Sequence, residues 1–129
     1  MDSEENNLEW LLDCMVDYLK SPMWTSEIFD FIDENCILFA GELDDENSFF
    51  QTDIHNSFRN LVDTKLDGFC AEFGIEHEHF MIACSQITSR VHKKCIDQLI
   101  AVDNFMLFKK MMIAKNTQLN QMAIAEMQN

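Results

Sequence analysis

The segment TDIHNSFRNLVDTKLDGFCAEFG, residues 52–74, sets the architecture of this chain. Ile54, Phe58, Leu61, Val62, Leu66, Phe69 and Phe73 recur in it at spacings of three and four, the period of a helix with one apolar face. Thr52 and Asp53 are suited to start that helix, and Gly74 to stop it in a left-handed conformation. Five turns of apolar stripe need partners, and both flanks supply them. Upstream, Leu8, Leu11, Leu12, Met15 and Leu19 repeat the pattern, with Glu9, Asp13 and Asp17 opposite. Ser21-Pro22 ends that helix, because the ring removes a donor and restricts the residue before it. Thr25 or Ser26 then caps a second helix carrying Ile28, Phe29, Ile32 and Cys36. Gly41–Ser48 is the one clear loop, acidic and polar.

Downstream, residues 76–86 read as a short helix with Phe80 and Cys84 inward. Ser89–Ala101 forms a fifth, and Asp103 caps a last one that runs close to the C-terminus. The expectation is an all-α, single-domain bundle of about six helices over residues 1–129. Within it, residues 1–7 form a flexible lead, and about 117–129 start a longer, projecting helix or coiled coil. The stripe there thins to Leu119, Met122 and Met127 among Gln and Asn.

Composition agrees with one compact helical domain. The chain has 129 residues, 47% of them apolar, and a mean hydropathy of −0.15. Three glycines and one proline are too few for the turns of a sandwich or barrel, or for a Gly-rich phosphate cradle. No apolar run reaches the roughly 18–20 residues of a membrane span, and no secretory signal is visible. A soluble, cytoplasmic protein without membrane insertion is expected.

The net charge of −14 lies entirely in residues 1–54, which hold 15 of the 23 acids and only one base, Lys20. Nucleic acid is therefore an unsuitable partner, and a basic protein a suitable one. Five cysteines, an odd number with no CxxC pair, fit reduced thiols in a core.

Motifs of catalysis or metal binding are missing where they would be sought. In Glu76-His77-Glu78-His79 the two imidazoles lie about 200° apart on a helix and cannot share an ion. In the loop Asp44-Asp45-Glu46-Asn47 the nearby Gly41 precedes the acids, against the order of an EF-hand. No nucleophile elbow or oriented triad occurs. We expect no enzyme, no cofactor and no metal.

The segment Phe105-Met106-Leu107-Phe108-Lys109-Lys110-Met111-Met112-Ile113 is apolar at seven of nine positions. Such a segment is buried on several sides or lines a groove. Its methionines suit either a plain core or a surface that accepts a partner's leucines.

Several motifs, in order, resemble the BART domain, the helical module of the binder of Arf-like GTPases. They resemble most the BART-like domain of cilia- and flagella-associated coiled-coil proteins. These are Trp10, Pro22-Met23-Trp24, Ile28, Asp30-Phe31, Cys36, Glu46-Asn47, Thr52-Asp53-Ile54-His55 and Leu61-Val62. Asp103 through Met112, Lys115-Asn116 and Gln121 complete the series, and Gln51 departs from it where the family usually has Tyr.

The resemblance implies a non-enzymatic module that binds the GTP form of an Arf-like small GTPase in ciliary trafficking, in the cytoplasm, cilium or flagellum. The GTPase's N-terminal amphipathic helix would enter a hydrophobic groove. Expected groove residues are Phe58, Leu61, Val62, Leu66, Phe69, Phe105, Phe108, Met111 and Met112, some of them shared with the core. Asp44, Asp45 and Glu46 are candidates to meet basic residues of the GTPase, or merely to solvate the loop. Two other readings stand beside this one. In the first, the domain is a structural piece of a ciliary or cytoskeletal assembly, self-associating through the last helix. In the second, weaker one, it is a calcium-responsive helical sensor.

Overall fold

The computed structural model describes residues 2–128, with side chains from Leu8 onward. Six helices follow one another: α1 (Asp2–Lys20), α2 (Pro22–Asn35), α3 (Phe49–Phe73), α4 (His77–Cys84), α5 (Lys93–Ala101) and α6 (Phe105–Gln128). A 3-10 turn, Cys36–Leu38, prolongs α2. No strand occurs among the described residues. Met1 and the side chains of residues 1–7 lie outside the described residues, and with them the expected flexible lead; the α1 backbone itself starts at Asp2.

Several helix starts differ from the sequence expectation. α2 begins at Pro22, whose fixed φ suits a first helical position, and Ser21 takes the extended cap conformation. Thr25 lies inside the first turn, its hydroxyl donating to the Ser21 carbonyl at 3.1 Å. α3 begins at Phe49, three residues before Thr52, because Ser48 and Gln51 form a capping box. Ser48 Oγ accepts from the Gln51 amide at 3.1 Å, and Gln51 Oε1 accepts from the Ser48 amide at 3.2 Å. At α6 it is Asn104 whose side chain caps, accepting from the Leu107 amide at 3.0 Å. Asp103 instead pairs with Arg59 at 3.6 Å. Gly74 stops α3 with φ +67°, as its position in the sequence suggests.

α3 is the central pole. It packs on α2, α4 and α6, and α6 also meets α2, α5 and the 3-10 turn. Trp24, Phe39, Phe58, Phe80, Phe108, Met15, Ile28, Ile87 and Met112 are wholly buried. Each contributes roughly 1.5–3 kcal/mol by leaving water. Phe108 is the hub of an aromatic cluster, with ring centroids 4.9 Å from Phe58 and 5.7 Å from Phe39. Ile87 and Val91 plug the core from the turns between α4 and α5, and α5 starts only at Lys93, where the His92 side chain caps it by accepting from the Lys94 amide at 3.0 Å.

Polar bonds fix the corner between α5 and α6. His55, buried on α3, donates from Nε2 to the Ala101 carbonyl at 2.8 Å. One turn later Arg59 Nε donates to the Val102 carbonyl at 3.2 Å. The angle at which α6 leaves the corner is therefore set by side chains of α3.

Candidate functional site

α2 and α5 both pack on α6 and leave an opening between themselves. A trough runs between them, about 170 Å³ in volume, with Phe29, Ile32, Met111 and Ala114 as its apolar lining. Asp33, Lys94, Asp97, Gln98, Lys115 and Gln118 edge it. Lys115 and Asp33 pair across it at 3.4 Å, and Lys93 pairs with Asp97 at 2.9 Å. A second hollow of about 370 Å³ adjoins it, sharing Phe29, Lys94 and Gln98 and extending past Trp24 and Cys95 to Leu19 and Val91. The two form one channel along α5, with an apolar floor and a polar rim.

Cys95 lines the second hollow, and Cys84 is buried in the core. Burial pushes Cys95 up to about 11, partly offset by the Trp24 indole N–H, and pushes Cys84 up to about 12. Cys14, Cys36 and Cys70 are raised as well, again chiefly by burial. All five cysteines are free thiols and poor nucleophiles at neutral pH.

The structure divides the nine expected groove residues. Phe58, Val62, Leu66, Phe69, Phe108 and Met112 are buried core, at most 5% exposed, and do not line an open surface. The reason is the central place of α3: α2, α4 and α6 cover its stripe from several sides. Phe108 and Met112 share one face of α6 and point the same way. Leu61, Phe105 and Met111 are half-buried, and of these Met111 lines the trough. Asp44, Asp45 and Glu46 are exposed, at the other end of α2 from Ser21-Pro22.

The sequence did not single out Phe29, Lys94 or Gln98 as a group, since they lie on two helices more than 60 positions apart. The 3.6 period gives a hint only for Phe29, an aromatic residue 47% exposed on an otherwise core-forming helix.

Lys109, inside the greasy block, is 1% exposed and forms no ion pair among the described residues. Its ammonium donates to the carbonyls of Leu43 (3.0 Å) and Asp45 (2.7 Å) and to Asn47 Oδ1 (2.7 Å). The acidic loop is thus held down on α6 by its backbone. Gln51 also donates Nε2 to the Leu38 carbonyl at 3.0 Å, tying the 3-10 turn to the start of α3.

The family model described as the ARF-like 2 binding protein BART matches residues 7–121. The chain belongs to the BART family. The BART match spans every residue that lines the trough and ends at 121, just after α6 becomes wholly exposed at Asn120. A curated relative, cilia- and flagella-associated protein 36 of Caenorhabditis elegans, is 24% identical over 127 residues. That alignment covers 95% of this BART chain and 18% of the relative, so the chain spans less than a fifth of the relative's length. Among the described residues, no helix is long and apolar enough to cross a membrane.

Proposed function

We propose that this BART domain binds an Arf-like small GTPase in its GTP state, taking the GTPase's N-terminal amphipathic helix into the channel between α2, α5 and α6. The observation that carries this is the channel's make-up: an apolar floor of Phe29, Ile32, Met111 and Ala114 inside a rim of paired charges. An amphipathic helix needs such a trough, with anchors at helical spacing and a rim that sets register. The GTP preference follows if the helix is free only in that state, so that the domain reads a population shift. Family membership supports the class of partner, and the ciliary relative supports a place in ciliary trafficking. The raised thiols agree with binding rather than catalysis.

Titration of the domain with a GTP-locked Arf-like GTPase, with and without its N-terminal helix, tests this. Removal of the helix, or Phe29→Glu or Met111→Glu in the domain, is expected to weaken binding by at least about tenfold. Equal binding by the full and truncated GTPase would overturn the proposal. A second reading, an assembly piece working through α6, draws on the exposure of Met122, Ile124 and Met127. Binding partners lost with that tail and indifferent to Phe29→Glu would favour it.

A further inference from the structure

The channel leaves one group of exposed apolar residues unexplained. Phe49 is 79% exposed, Ile37 70%, Phe50 64% and Leu38 50%. The Gln51–Leu38 bond brings the 3-10 turn against the first turn of α3, so all four lie at one end of the bundle. Ser48 and Gln51 cap the helix, and the Phe49 and Phe50 rings meet edge to face at 6.0 Å. Apolar side chains gathered on a surface in this way mark a place where another molecule sits.

From this geometry we propose that this end of the bundle docks a basic, apolar segment of a partner protein, outside the channel. The charge beside the patch selects that chemistry. The loop that leads into Phe49 carries Glu42, Asp44, Asp45 and Glu46, all exposed. Glu42, Asp44 and Glu46 form no ion pair among the described residues. Asp45 is turned inward on the loop, accepting from the Glu42 amide at 2.7 Å. Lys109 holds the loop by two carbonyls and an amide oxygen, so the backbone that carries the free carboxylates keeps a fixed place leading into Phe49. Aromatic anchors beside fixed acids fit lysine- or arginine-bearing apolar sequence. An anionic lipid surface would be repelled. A second copy of this chain would bring two acidic loops together, against a net charge of −14 on each. The inference does not rest on what occupies the channel.

The test uses the whole chain and a synthetic amphipathic peptide of leucine and lysine, with a leucine–glutamate peptide of the same apolar pattern as control. Calorimetry gives affinity, and amide NMR shifts give location. The leucine–lysine peptide is expected to bind, shifting residues 36–53, and to keep those shifts when the channel is blocked by Phe29→Glu. Phe49→Ser with Phe50→Ser is expected to weaken it by about tenfold or more. Glu42→Gln, Asp44→Asn and Glu46→Gln together are expected to weaken it and flatten its salt dependence. Ile37→Ser, outside α3, keeps the test valid should the first turn of α3 loosen, and is also expected to weaken binding. Unchanged affinity in the aromatic and Ile37 variants on the Phe29→Glu background, shifts confined to the channel, or equal binding of the glutamate peptide at residues 36–53 would overturn the proposal. So would capture of the chain on phosphatidylserine–phosphatidylcholine vesicles in a Phe49-dependent way.

Discussion

Cys84 and Cys95 are thiols shifted by burial, and their titration has a sign that can be worked out. Burial raises the folded-state values from the ordinary 9.0 to about 12 and about 11. Between pH 9 and those values the unfolded chain gives up the proton and the folded chain keeps it. Stability is therefore complete below pH 9 and falls as pH rises beyond it, by up to about 1.4 kcal/mol per pH unit for each such thiol. Thermal melts from pH 8 to pH 11 are expected to show this fall, and Cys84→Ala to make it shallower. An equal slope in the variant would assign the loss to other groups. The thiols also illustrate what was legible one position at a time. Five reduced cysteines could be read from count and spacing, whereas the ion-free cage around Lys109 could not, because its ligands lie more than 60 positions away.

Helices were legible where a stripe was long and illegible where the boundary depended on side-chain bonds. The α3 stripe announced itself by period, and Gly74 by type. Its true start depended on a reciprocal Ser48–Gln51 pair, which the more obvious Thr52-Asp53 concealed. Asn104 and Asp103 are both good caps, and Arg59 drew the second away. Which stripe residues are core was equally hidden, since Phe58 and Met111 look alike until α2 and α6 are placed around them. The two glycines of this region give opposite expectations. Gly74→Ala puts a side chain at φ +67° and is expected to destabilise by about 1 kcal/mol, with no clash adding to it. Gly68→Ala, exposed within α3 with open space around a new methyl, is expected to stabilise by about 0.5–1 kcal/mol. Urea unfolding of both variants checks the pair.

The bundle as a body ends before its last helix does. From Asn120 onward every described residue of α6 is exposed, and the family match stops at 121. Nothing in the core leans on that overhang. Removal of residues 121–129 is expected to leave the unfolding free energy within about 0.5 kcal/mol of the parent, as measured by urea titration. A larger loss would mean that the tail folds back on the domain. The projecting helix was foreseeable from its thin stripe, and the helical class from the period of the rest. The channel was not, because its walls come from three helices that only the assembled fold brings side by side.

Lys109 grips the acidic loop by two peptide carbonyls and one amide oxygen, leaving the carboxylates at 42, 44 and 46 outside its grasp. Architecture and display are thereby uncoupled on that face. A lineage can rewrite those three letters, and with them the charge offered to a neighbour, while the scaffold that presents them stays put.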